Sequence, residues 1–91
     1  MTSMIYRREA ALLEAEVGDE LVALDAAKGT CLGFNTVATS VWRALQEPHS
    51  FEDLRNRLLD EYDVSEKQCS NELRDLLREL ESRGLVKTAS R

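Results

Sequence analysis

The spacing of apolar residues changes once along the chain, close to residue 35. Before that point the period is two. Leu13, Ala15 and Val17 alternate with Glu14 and Glu16, the pattern of a strand with those apolar residues on a covered face. Gly18-Asp19 supplies turn chemistry, and residues 21–24 form a short apolar run that ends at Asp25. Ala26-Ala27-Lys28-Gly29 reads as a hairpin loop in which Gly29 takes the positive-φ position. Residues 30–34 make a third strand, with Leu32 and Phe34 on one face and Cys31 and Gly33 on the other. The first eight residues carry no period and are expected to be loose, or to order only by pairing.

After residue 35 the period is helical. Asn35 or Thr36 can cap a first helix carrying Val37, Val41, Trp42 and Leu45, which Glu47-Pro48 stops. Ser50 and Asp53 resemble a capping box opening a second helix with an apolar stripe of Phe51, Leu54, Leu58, Leu59 and Tyr62. Ser65 and Gln68 form a more usual box, with Val64 and Cys69 placed to staple the entry to a third helix. That helix runs to about Arg83, with Gly84 in the C-terminal capping position. Leu85-Val86 either returns as a short strand or packs down. In the third helix Cys69, Leu73, Leu76, Leu77 and Leu80 share one arc. Gln68, Glu72, Asp75 and Glu79 flank it on one side, and Lys67, Arg74 and Arg78 on the other. Spacing alone does not decide between two solvated flanks and one flank that borders a groove.

The expected fold is therefore α+β and winged-helix-turn-helix-like: a three-stranded antiparallel sheet followed by three helices, in a single domain over residues 1–91. Ninety-one residues bury only about 60–65% of their unfolded surface, which leaves little core for a deep active site. Twelve basic against seventeen acidic residues give a net charge of −5. That field opposes sequence-independent binding of nucleic acid, which needs a basic face. No apolar run approaches the ~20 residues of a membrane span, and no secretory signal opens the sequence. The expectation is a cytoplasmic protein that engages neither membrane nor nucleic acid.

Candidate chemistry is sparse. Cys31 and Cys69 stand far apart, the one histidine is His49, and no close pair has zinc-ligand spacing. Two reduced, mostly buried thiols are expected, with no metal and no cofactor. His49 follows Pro48 and reads as an exposed loop residue. No P-loop, dinucleotide fingerprint or Ser-centred elbow is present, so no catalytic residues are assigned. What remains is binding: the open edge of a small sheet can accept an extended peptide. The winged-helix pattern keeps a DNA-binding or regulatory domain as the alternative, with an interaction module for some other protein as a third class.

The run Gly29-Thr-Cys-Leu-Gly-Phe-Asn35-Thr-Val37-Ala38-Thr-Ser-Val41-Trp42 resembles the PqqD-like pattern of hairpin glycine, short strand, Leu-Asn step and helix ending in Ile-Trp. Phe34 replaces the usual Leu of that pattern. Ser50-Phe-Glu-Asp-Leu54, Asp60-Glu-Tyr62-Asp63-Val64, Cys69, Glu72-Leu73 and Gly84-Leu85-Val86 extend the likeness over roughly residues 12–87. The resemblance implies a RiPP recognition element, a non-catalytic domain that binds the leader of a ribosomally made precursor peptide as an added strand. It then presents the leader to a leader peptidase or other modifying enzyme. Trp42 and Cys69 make the chain look like the stand-alone partners of lasso-peptide leader peptidases. Leu45-Gln-Glu-Pro48-His49 replaces the Cys-Asp-Gly turn of members that serve pyrroloquinoline quinone synthesis. The implied peptide site is the strand Thr30, Cys31, Leu32, Gly33 and Phe34 with Glu72, Asp75 and Glu79 on the helical wall, and Arg74 and Arg78 as second choices. Trp42 and Cys69 are expected to be packing residues. An open third-strand edge also leaves room for a homodimer.

Overall fold

A computed structural model describes residues 4–9 and 12–90. In chain order its elements are β1 (Met4–Arg8), β2 (Leu13–Val17), β3 (Glu20–Asp25), β4 (Thr30–Phe34), α1 (Thr36–Ala44), β5 (His49–Ser50), α2 (Phe51–Glu61), α3 (Glu66–Ser82) and β6 (Val86–Ser90). The α+β order of a strand meander followed by three helices matches the expected class. There are two small antiparallel sheets, β2-β3-β4 and β5-β1-β6.

The second sheet is the main addition to the sequence reading. Met4–Arg8 pairs along its whole length with β6, Met4 opposite Ser90 and Arg8 opposite Val86. On its other side Ile5 and Tyr6 pair with Ser50 and His49. The returning strand after Gly84 orders the N-terminal segment, so that segment is a case of order by pairing; residues 1–3 lie outside the described part. His49 is part-buried in β5 rather than in an open loop, with Nδ1 3.6 Å from the Asp53 carboxylate.

Local chemistry sets the element ends. Gly18 (φ 65°) opens the two-residue turn between Val17 and Glu20. Gly29 (φ 67°) closes the β3–β4 loop, where its N–H donates to Asp25 O at 2.8 Å. Asn35 caps α1 through its Oδ1, which accepts from Ala38 N at 2.8 Å. The Ser50–Asp53 box is reciprocal, each side chain accepting from the other residue's backbone N–H. At α3 only half of the more usual box forms. Ser65 Oγ accepts from Gln68 N, while the Gln68 amide reaches forward to Glu72. Beyond α3, Gly84 (φ 73°) donates to Glu81 O and Leu85 to Leu80 O, a Schellman ending. That ending aims Leu85 and Val86 into the core and starts β6.

The core lies between the inner face of β2-β3-β4 and the three helices, built on Leu21, Phe34, Val41, Trp42, Leu54, Leu73 and Leu77. One strand is reversed relative to the sequence reading. Register places Glu16 opposite Leu21 and Glu14 opposite Ala23, two of the three buried residues of β3. Glu14 and Glu16 therefore face α1, and Leu13, Ala15 and Val17 face outward. The physical reason is the turn. A two-residue hairpin pairs Val17 with Glu20, and once Leu21 is drawn into the core, Glu16 must follow it.

Candidate functional site

The β4 edge is positioned by its neighbours on three sides. β3 pairs with it from Leu21–Phe34 to Asp25–Thr30, and β4 ends the sheet, so among the described residues its other side carries no partner strand. Behind it, Phe34 is buried edge-on against Trp42, with ring centroids 5.7 Å apart at 83°. Trp42 is fully buried and its Nε1 donates to Glu14 at 3.0 Å. The Arg8 guanidinium lies 4.2 Å over the indole and donates to Trp42 O and Glu14. Burial pulls the Arg8 pKa below its ordinary value, and the Glu14 carboxylate opposes that shift. The floor behind β4 is thus tied to both sheets through one indole.

A groove separates β4 from α3. It consists of two adjoining hollows, of about 380 and 440 Å³, that share Asn35, Ala38 and Leu76. The first runs along Cys31, Leu32, Gly33 and Phe34 to Glu79, Leu80 and Arg83. The second continues past Val37 to Glu72 and Asp75. At one end Lys28 Nζ, from the β3–β4 loop, donates to Arg83 O at 2.6 Å and joins the hairpin to the end of α3. Its floor is apolar and its helical wall is acidic. Glu79 is paired with Arg83 at 2.8 Å, whereas Glu72 and Asp75 have no ion pair among the described residues.

The structure brings together Cys31, Leu32, Gly33, Phe34, Glu72, Asp75 and Glu79 of the residues assigned from sequence. Thr30 lies at the start of the same strand, opposite Asp25. Arg74 is on the other flank of α3, with its guanidinium 5.8 Å over the Phe51 ring, and Arg78 is exposed and does not line the groove. Sequence reasoning missed Asn35, Val37 and Ala38, which close the groove from the start of α1. The cap signal at Asn35 located that helix start but not the element across from it.

The two cysteines differ. Cys69 is buried, and burial together with the Glu72 and Glu66 carboxylates raises its thiol pKa, with Arg55 acting against them. It lines a small apolar cavity of about 70 Å³ with Val37, Leu58, Tyr62 and Val64. Cys31 is exposed, which corrects the expectation of two mostly buried thiols: it points to the outer face of β4. Among the described residues no cluster of three or more His, Cys, Asp or Glu could hold a metal ion. No described helix is long and apolar enough to cross a membrane.

A strand meander packed on three helices, with an open sheet edge across a groove from the last helix, defines a winged-helix-like α+β class. The family profile described as "Coenzyme PQQ synthesis protein D (PqqD)" matches residues 20–86, and the chain belongs to that family. Among solved structures, "TbiB1 in Complex with the TbiA(beta) Leader Peptide" is 30% identical. The match covers 89% of this chain and 94% of that one with a TM-score of 0.78. "Lasso peptide synthetase B1 complexed with the leader peptide" shares the fold at 23% identity, over 90% and 96% of the two chains, with a TM-score of 0.75. No curated protein matches the chain by sequence.

Proposed function

We propose that this protein binds the leader of a ribosomally made precursor peptide by strand addition to β4, acts without catalysis, and presents the leader to a leader-cleaving or modifying enzyme of lasso-peptide biosynthesis. The observation that carries this reading is the difference between the two edges of the β2-β3-β4 sheet. β2 carries Glu14 and Glu16 turned toward the molecule, and inward charges are one way a sheet edge is kept from pairing. β4 reads Thr-Cys-Leu-Gly-Phe, with no charge and no proline, and it faces an open groove with an apolar floor. An extended peptide laid there gains backbone hydrogen bonds along β4 and sets alternate side chains toward Leu32, Leu76 and Leu80. The solved relatives above are complexes with leader peptides, which supports the same occupant here.

The test is a titration with synthetic leaders: that of the precursor made alongside this protein, and the TbiA(beta) leader. Micromolar or tighter binding is expected, with amide shifts concentrated in residues 30–35 and 72–83. N-methylation of leader amides should weaken binding about fivefold to tenfold at alternate positions, the value of one net hydrogen bond, and do little at the positions between. Uniform small effects along the leader, or shifts centred outside the groove, would refute strand addition.

A further inference from the structure

The groove carries its charge unevenly along its length. At the end beside Phe34 and Asn35, Glu72 and Asp75 stand exposed with no ion pair among the described residues. The Gln68 amide donates to Glu72 at 3.3 Å, a neutral contact that leaves the charge in place. At the other end, beside Cys31, two cations meet. Arg83 holds Glu79 through Nε at 2.9 Å and Nη2 at 2.8 Å. Lys28 reaches across from the β3–β4 loop and donates to Arg83 O at 2.6 Å. An ammonium has three N–H donors, and that bond uses one. Lys28 has no carboxylate partner among the described residues. Asp25 of the same hairpin is buried and accepts from Lys28 N rather than from the ammonium.

We infer that the groove reads the order of charges along the leader: a basic side chain for Glu72 and Asp75 and, four residues further on, an acidic one for Lys28. Lys28 is then a specificity-determining residue. The inference rests on strand addition to β4 and adds to it the chemistry of the segment accepted. Length sets the spacing. Asp75 and Arg83 are eight residues apart along α3 and its cap, ~12 Å at the helical rise, and Glu72 lies ~17 Å from Arg83. In an added strand only every second side chain faces α3, so the pair must be an even number of residues apart. Two residues span ~7 Å, four ~13 Å and six ~20 Å; four fits. Pairing sets the direction. All strand pairs among the described residues are antiparallel, and antiparallel pairing is the slightly more stable kind. A leader antiparallel to β4 starts beside Phe34 and ends beside Thr30, so its basic residue comes first. The reverse order sets like charges together at both ends of the groove.

The test uses labelled forms of the leader of the precursor made alongside this protein. Two groove-facing positions four residues apart, located by contacts to the Leu76 and Leu80 methyls in nuclear Overhauser spectra, are changed to Lys then Glu, Glu then Lys, or Lys then Gln. Fluorescence anisotropy measures affinity at 20 mM and 0.5 M salt. An exposed ion pair is worth up to about fivefold, so Lys-then-Glu should bind about tenfold tighter than the reverse at low salt. That gap should close to within about twofold at 0.5 M, where screening shortens to a few ångströms. Lys28→Gln, and Gln for Glu in the leader, should each weaken binding about threefold to fivefold, and together no more than either alone. A lysine that only capped α3 would weaken both leaders equally, and such additive losses would overturn the inference. So would equal affinity for the two orders, or a preference for Glu then Lys, with strand addition left standing. If no form of the leader binds, strand addition itself fails and takes the inference with it.

Discussion

Replacing Glu14 by Ala should cost about 1–2 kcal/mol, and replacing Glu16, two residues along the same strand, close to nothing. Glu14 is the acceptor for the Nε1–H of the fully buried Trp42 at 3.0 Å. Removing it leaves a buried donor unpaired, at a cost of ~1–3 kcal/mol. The Glu14 side chain is 29% exposed, so water can enter the vacated space and the lower part of that range applies. Among the described residues Glu16 pairs only with Arg43, and their side chains are 67% and 41% exposed; an exposed pair of this kind contributes ~0–1 kcal/mol. A domain of this size has a total stability of roughly 5–14 kcal/mol, so the Glu14 loss is a sizeable share of it. It corresponds to a fall in Tm of about 5–15 °C. The assay is urea unfolding followed by circular dichroism and by fluorescence of Trp42, the single tryptophan. Glu14→Gln keeps a carbonyl acceptor for the indole and should recover about half the loss. Equal effects of the two alanine substitutions, or a Glu14→Ala loss below 0.5 kcal/mol, would refute the inward placement of β2's carboxylates.

Three further outcomes follow from the groove and the thiols. Neutralising Glu72 and Asp75 together (Glu72→Gln, Asp75→Asn) should slow association of a leader with basic residues severalfold in low salt, and the difference should vanish near 0.5 M salt as screening shortens to a few ångströms; stopped-flow association measures it. Cys31 should react with a thiol reagent at neutral pH while Cys69 stays protected, and bound leader should slow the Cys31 reaction. Because the Cys69 thiol pKa is raised in the folded state, its contribution to stability is present below the ordinary thiol pKa. That contribution is lost as pH rises from there through the folded-state value, which Cys69→Ala should abolish in alkaline unfolding curves.

Much of this fold is written in short-range chemistry. The switch of period near residue 35, the glycines at 18, 29 and 84, and the caps at Asn35, Ser50 and Ser65 each act over four or five residues, and each element end they mark is present. The β4 strand and the α3 arc were legible for the same reason. So was the family likeness, an ordered set of such local signals. What the sequence left open depends on contacts between distant segments. Glu72 and Asp75 border the groove and Arg74 does not, because α3 packs with that flank toward α1 and β4 while Phe51 of α2 takes the other.

The period of β2 was readable, but which of its faces is buried was not. Alternation has no direction of its own, and a two-residue turn coupled to Leu21 settled it. Met4–Arg8 has no period because both its sides are filled by backbone from residues more than forty positions away. By itself the sequence determined the strands of the β2-β3-β4 meander, the three helices, their order and a bias toward binding over catalysis. Tertiary structure alone decided which strand edge stays open, which helix flank walls the groove and which apolar face remains in water. Each of those is set by the register and packing of segments that meet only when the chain closes on its core.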